Sequence, residues 1–440
     1  MVVGVTGSVA AYKAAVLVSD LVKQGARVDV LLTPSGRQFV TETTFRSLTD
    51  GLVAWDAFDP SAGRLAHIEV AHAADLMAVV PASANTLANL AHGSADTLVT
   101  LAALSCTAPV MVAPAMEAAM WQHPATQRNV ATLRGDGVHI AGPAEGRHAS
   151  GAAGPGRMLE PEQLLGHMRM LLGRSGDLAG RRVVVTAGGT REPVDAVRTL
   201  GNRSSGKMGI AIARAARDRG ARVTLVSTAD PIADGAGIEQ RAVATAADML
   251  RETSAACDGA DLLLMAAAVA DFRPAEPAAG KLHRADGVAA IALEANPDIV
   301  ATIGGAAGEQ RPKVVVAFAA ETEELVTRAR EKLEHKGVDL IAANLVGAGA
   351  AGERSPGEGA GGKAGAGDTS TQLVDNQHFD EAVSLNSEDG DSIDESVDTE
   401  GIKSPAVPRK GGGSDGAGAG GGGGGASPGS AAGKGGGRGD

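Results

Sequence analysis

RRVVVTAGGTREPVDAVRTLGNRSSGKMG, residues 181–209, runs three valines into a paired-glycine turn and, after a polar stretch, opens a helix. The valine run 182–186 reads as a buried strand and 221–227 as the next one. Between them 206–219 reads as a helix, entered behind Ser204 and Ser205 as a serine cap and stopped by Gly220. Strand, glycine turn, helix and strand together open a parallel α/β unit. The N-terminus has the same order: a strand at 2–6, a turn at Gly7 and Ser8, a helix over 9–24 stopped by Gly25, and a strand at 27–33. Two successive Rossmann-type α/β domains are expected, although the halves share too little identity to be called a repeat.

The start of the 206–219 helix leaves backbone N–H groups unpaired where the helix dipole favours negative charge. Arg191, Arg198, Arg203 and Lys207 surround it, so the segment suits an acidic, phosphorylated ligand. Residues 201–207 follow most of the phosphate-loop pattern G-x-x-x-x-G-K. Against that reading, Met208 takes the place of the magnesium-binding Ser or Thr, and the loop lies too far from the strand. A solvated basic loop ahead of an ordinary helix is the plain alternative.

Across 440 residues, a hydrophobic content of 44% with only 2% aromatic points to Ala, Val, Leu and Ile cores, as in parallel sheets buried on both faces. The layout reads as a first domain at 1–160, a linker at 161–180 that is helical over 161–173, and a second domain at 181–346. Residues 347–440 read as a Gly-rich tail with an acidic block near 388–400, too poor in apolar surface to offset its backbone entropy and so expected to be disordered. A net charge of -12 argues against a general nucleic-acid binder. The lack of a charged-then-apolar leader or a membrane-length apolar run points to a cytoplasmic protein with no membrane partner. Cys106 and Cys257 read as buried free thiols, and no Cys or His spacing marks a metal site.

In the first domain Gly7, Ser8, Thr33, the loop 81–86 with Ser83 and Thr86, and 93–97 fall at strand ends or helix starts, where open α/β sheets bind nucleotides. The dinucleotide fingerprint G-x-G-x-x-G is absent from 4–13, which favours a mononucleotide such as a flavin. His67 stands alone ahead of a strand, and spacing by itself favours an ordinary surface or core-edge residue. PAME at 114–117 and the glycine-rich 151–157 read as mobile active-site cover or as plain connections. In the second domain AAAVADF at 266–272 ends a strand on Asp271, which suits a magnesium contact or, equally, a turn cap. Lys281 sits in a loop bounded by Pro and Gly, within reach of a phosphate or an acyl oxygen. NPD at 296–298 and FAAET at 318–322 crowd the same edge.

GSVAAYK at 7–13, AHIE at 66–69, PAM at 114–116, GPGRM at 154–158, the opening segment, 266–271, NPDIV at 296–300 and FAAET at 318–322 together resemble one family. It is the bifunctional bacterial phosphopantothenoylcysteine decarboxylase / phosphopantothenate–cysteine ligase, and the likeness spans roughly residues 2–346. The resemblance implies a flavodoxin-like, trimer-forming FMN decarboxylase followed by a dimer-forming ligase that uses CTP and Mg2+. The substrates implied are 4'-phosphopantothenate, cysteine and phosphopantothenoylcysteine. His67 matches the active-site base or carboxylate contact, and Asn202 the asparagine that orients the activated acyl group. Lys281 matches the lysine that stabilises charge in that step, and Asp271 the acid that reads the cytosine, which replaces the metal reading. Arg198, Ser204, Ser205 and Lys207 match the phosphate-binding and dimer-forming loop, with Phe318 and Lys336 near the nucleotide.

Three departures from the family pattern stand out. Glu117 replaces a substrate-contacting asparagine, and Ser150 replaces a flap cysteine that protonates the enethiolate, a hydroxyl being a much weaker acid than a thiol. After residue 347 a Gly-rich stretch, read as a frame change or an appended tail, replaces an edge strand and a final helix. These changes imply normal FMN binding with impaired or rerouted reduction, and a weakened ligase. A nicotinamide-dependent short-chain reductase needs Tyr-x-x-x-Lys, whereas the only tyrosine is Tyr12, beside Lys13. A flavin-binding regulatory subunit has no need of His67, Asn202 and Lys281 together.

Overall fold

The computed structural model describes residues 1–57, 66–147, 151, 153–283, 290–321 and 325–345, and two further strands at 371–375 and 383–385. Strands β1 (Val2–Val5), β2 (Asp29–Leu32), β3 (Val53–Ala54), β4 (Met77–Ala82), β5 (Val110–Pro114) and β6 (His139–Ile140) pair in parallel in the order β3-β2-β1-β4-β5-β6. This is the Rossmann order, and without the two-residue β3 it becomes the flavodoxin order. Every residue of β1, β2 and β4 is buried, because helices cover both faces. Val3, Val5, Val30 and Leu32 pack with Leu17 and Val18 of the first helix on one face; Val2, Leu31, Met77 and Val79 pack with Leu98 and Val99 on the other.

After β6 the chain forms an antiparallel hairpin of β7 (Ala144–Arg147) and β8 (Ala153–Arg157), the second strand lying within the glycine-rich 151–157 read as mobile cover or a plain connection. Helix Pro161–Gly173 then joins the halves. It buries Leu164 and Met168 in the first core, and a Cβ at Gly166 or Gly173 would fall 2.4 or 2.3 Å from the backbone oxygens of Asp234 or Asp218. Arg169 donates to Gln24 (2.7 Å) on one side and Asp218 (3.4 Å) on the other. The segment expected as a linker is thus a packed bridge.

The second half contains β9 (Arg182–Ala187), β10 (Arg191–Pro193), β11 (Thr199–Gly201), β12 (Arg222–Ser227), β13 (Ile238–Ala242), β14 (Leu262–Met265), β15 (Phe272–Pro274), β16 (Leu293–Ala295), β17 (Val314–Glu321), β18 (Leu340–Leu345), β19 (Thr371–Asp375) and β20 (Val383–Leu385). Its sheet runs β13-β12-β9-β14-β17-β18-β19-β20. The first six strands repeat the order of the first sheet, all parallel, and the last two are antiparallel. Two short antiparallel hairpins pair β10 with β11 and β15 with β16.

Two expectations are corrected here. The lost sheet edge is in fact filled: β19 pairs with β18 from Leu340↔Asp375 to Asn344↔Thr371, because an open strand edge offers unpaired N–H and C=O groups that the short TQLVD segment satisfies. Apart from β19 and β20, the expected disordered tail lies outside the described residues. The serine cap is also replaced, because helix Lys207–Asp218 has Gly206 at its N-cap position, at φ 73, with no side-chain cap. Ser204 Oγ instead accepts from Gly206 N (3.4 Å) one turn earlier. A Cβ at Gly209 would stand 2.6 Å from Ala187 Cβ, so glycine lets this helix lie directly on β9.

Candidate functional site

Strand order reverses between β1 and β4, and their carboxyl ends open the first crevice. Thr6 spans it, donating to Pro81 O (2.8 Å) and accepting from Ser83 N (3.1 Å). A Cβ at Gly7 would stand 2.6 Å from Ser35 Cβ, so only glycine lets the turn after β1 pass the turn after β2. Ser8 Oγ accepts from Ala10 N (3.2 Å), and Ser83 caps helix Ala84–His92 by accepting from Thr86 N (3.3 Å). Thr33 and Thr86 are buried. Their hydroxyls are engaged internally, Thr33 Oγ1 with Gly36 N (3.0 Å) and Thr86 Oγ1 with Ser83 Oγ (3.1 Å), and so shape the crevice from within. His67 lies on helix Ala66–His72, which as the crossover from β3 to β4 starts on the carboxyl side of the sheet. Its Nδ1 is buried with no hydrogen-bond partner among the described residues, an atom that calls for an external partner.

Beside this crevice a cavity of about 290 Å3 is lined by Ser8, Tyr12, Lys13, Glu117, Arg147 and Arg157, among others. Glu117 is the N-cap of helix Ala118–Gln122, its Oε2 accepting from Ala119 N (2.7 Å). The helix start thus engages the carboxylate that stands in place of the substrate-contacting asparagine. Met116 N donates to Gly156 O (3.0 Å), so the expected mobile cover 151–157 carries a strand fastened to the loop after β5. Lys13 Nζ, 8% exposed as a side chain, and Arg157 both donate to Glu160 Oε1. The bond from Lys13, foremost, holds that carboxyl below its usual range. Sequence reading saw Lys13 only as part of a motif, since its partner lies 147 residues away. Ser150 lies outside the described residues.

In the second half the order reverses between β9 and β14. Thr186 Oγ1 accepts from Ala267 N (3.1 Å) and Thr190 Oγ1 from Ala270 N (2.9 Å), stitching the loops after these strands together. Asn202 Nδ2 donates to Val269 O (2.9 Å) across the same seam. The loop carrying Lys281 meets the β10–β11 turn, where Arg198 donates to Leu282 O (3.0 Å) and Asp195 accepts from Leu282 N (3.2 Å). The loop carrying Lys281 is therefore tied to the turn of the hairpin that Asn202 directly follows. Ser204, Ser205 and Lys207 are exposed at the following helix start. Arg191, Arg203 and Lys207 have no ion-pair partner among the described residues.

Asp271 is exposed, and its carboxylate has no partner among the described residues, so neither a turn cap nor a metal cluster is built on it. Its carbonyl accepts from Asn296 N (2.8 Å). Asn296 Nδ2 in turn reaches Ala270 O (2.8 Å). Asp298 caps helix Ile299–Gly304 and pairs with Lys336 (3.3 Å), which fixes Lys336 beside the 296–298 loop. Phe318 is half-buried on β17 opposite Ala342. Cys257 is buried, which pushes its thiol up to about 12; Cys106 is half-buried rather than buried as expected, and burial raises its thiol as well. Among the described residues no helix is long and apolar enough to cross a membrane.

The Flavoprotein family matches residues 1–173, and the DNA/pantothenate metabolism flavoprotein C-terminal domain matches residues 178–357. The second match continues past residue 347, where likeness was read to end. Coenzyme A biosynthesis bifunctional protein CoaBC of Mycobacterium tuberculosis is 44% identical over 363 residues, covering 79% of this chain and 86% of that protein. Its counterpart in Bacillus subtilis is 42% identical over 348 residues, covering 78% and 85%. The Vibrio parahaemolyticus protein is 40% identical over 347 residues, covering 78% and 86%.

Proposed function

The chain belongs to the bifunctional coenzyme A biosynthesis family, and from that premise we propose how its two halves divide a ligase and a decarboxylase activity. The second half joins 4'-phosphopantothenate to cysteine. CTP, carried with Mg2+, activates the carboxylate as an acyl-cytidylate with release of pyrophosphate, and the cysteine amine then displaces CMP. Asn202 orients the acyl group and Lys281 stabilises charge during activation. Arg198, Ser204, Ser205 and Lys207, with the helix start, hold the phosphate. Asp271, Phe318 and Lys336 face the nucleotide. The observation that carries this reading is that the Lys281 loop is tied to the turn of the hairpin that Asn202 follows, while Asn202 itself bonds Val269 O beside the β9/β14 reversal.

The first half decarboxylates phosphopantothenoylcysteine to 4'-phosphopantetheine. The crevice at Gly7, Ser8, Thr33, Ser83 and Thr86, with the orphaned Nδ1 of His67, fits a flavin mononucleotide, which when bound supplies the two-electron oxidation that turns the carboxylate into a leaving group. His67 binds that carboxylate or takes the proton. Trimers through the first half and dimers through the second, in the cytoplasm, complete the proposal.

Purified full-length chain given 4'-phosphopantothenate, cysteine and CTP should release pyrophosphate and yield a mass equal to phosphopantetheine. Absence of CTP-dependent ligation would favour a flavin-binding regulatory protein. Ser150 favours one variant reading, in which decarboxylation proceeds but the enethiol awaits reduction. Its product is lighter than phosphopantetheine by two hydrogens, and rapid appearance of the fully reduced mass would sink it.

A further inference from the structure

The Asp195 side chain has no exposed surface, yet it is a carboxylate and lies between two elements of the ligase half. Its Oδ1 accepts from Val197 N and Arg198 N (2.7 Å each), closing an Asx-type turn at the tip of the β10–β11 hairpin. Its Oδ2 points the other way. It accepts from Leu282 N (3.2 Å), 87 residues along the chain, and lies 3.5 Å from Arg198 Nη1. Arg198 Nη2 donates to Leu282 O (3.0 Å), so both backbone groups of Leu282 are captured. Ala278 N donates to Val194 O (3.0 Å) on the near side. Lys281 is exposed and sits between these two fastenings. A closed turn needs only Oδ1; the second oxygen is left to the lysine loop and to the Arg198 guanidinium that also reaches it. A buried carboxylate is stable only when so compensated, and the backbone bond from Val197, foremost, holds its carboxyl below the usual range.

We infer that Asp195 is a positioning residue of the ligase, latching the Lys281 loop to the hairpin that Asn202 directly follows, a role that rests on the roles proposed above for those two residues. It touches no reacting atom. Its loss leaves the lysine present but misplaced, and displacement of a catalytic group by about 1 Å costs on the order of a hundredfold in rate.

The test uses the full-length chain, whose decarboxylase half serves as an internal control. Asp195→Asn keeps an oxygen for the Val197 and Arg198 amides but puts an NH2, which cannot accept, opposite Leu282 N, and so removes that bond. It should lower the kcat for CTP-dependent pyrophosphate release roughly tenfold to a hundredfold, with the KM for CTP little changed and the decarboxylation of added phosphopantothenoylcysteine intact. Leu282→Pro deletes the same bond from the other side and should show the same split, which covers the case in which Asp195→Asn fails to fold. The double variant Asp195→Asn/Lys281→Gln should be no slower than Lys281→Gln alone, because residues that act as one unit are non-additive. Multiplying effects, or single variants at the parent rate while Lys281→Gln is inactive, would overturn the latch. A fully active Lys281→Gln overturns instead the role given to the lysine, and the two failures are told apart by that single variant.

Discussion

Gly7 and Ser150 illustrate two kinds of constraint on single residues. Gly7 is fixed by space, since the turns after β1 and β2 pass within a distance that no Cβ tolerates. Gly7→Ala should therefore cost about 1–3 kcal/mol through forced displacement and lower the bound flavin content, read as Tm and as flavin absorbance per chain. An unchanged Tm with full flavin content would show that the turns can separate freely. Ser150 is a matter of chemistry: if its hydroxyl is the reason reduction lags, Ser150→Cys supplies a far stronger acid. The product mass should then shift towards fully reduced phosphopantetheine. Glu117 shows how context changes a residue type, because its carboxylate is taken up by the start of helix Ala118–Gln122, which the sequence alone did not indicate.

The bridging helix Pro161–Gly173 carries the element-scale predictions. Its Leu164 is fully buried in the first core, and Leu164→Ala should destabilise the chain by about 2–5 kcal/mol, measured by denaturant midpoint. His167, on the same helix, lies 2.9 Å from His139 of β6, Nδ1 to Nε2, with ring centroids 5.0 Å apart. One ring must donate and the other accept, so at least the accepting ring is neutral. Burial first, then the charges of His139 and Arg217, push His167 down to about 4. Burial lowers His139 as well. An unfolded histidine titrates near about 6.5, so between the two values the unfolded chain binds the extra proton. The contribution is therefore complete above about pH 6.5 and is lost as the pH falls towards 4. Urea midpoints near neutrality and at about pH 4.5 should differ less in His167→Gln than in the parent; an equal difference would assign acid sensitivity elsewhere.

At the scale of the whole molecule, two sheets of the same strand order share one helix, and the second sheet is closed by strands from beyond the Gly-rich stretch. A chain ended after Leu345 should expose the β18 edge, aggregate by light scattering and lose ligation while retaining decarboxylation. One ended after Ser387 keeps β19 and β20 and should retain both activities. Full ligation by the shorter chain would remove β19 and β20 from any supporting role.

The sequence by itself determined the two α/β units, the strand, turn, helix and strand that open each of them, and the bridging helix. Each of these is written in local signals: valine runs, glycine stops, helix periodicity and short motifs. The tertiary structure alone decided the Thr6–Ser83 span, the Lys13–Glu160 pair, the Asp195–Leu282 latch, the capture of Glu117 by a helix start and the pairing of β19 with β18. Apart from Glu117, these join residues tens of positions apart through single hydrogen bonds or a short strand edge. No periodicity records such a pairing; it follows from which buried polar group must find a partner once the sheets are assembled.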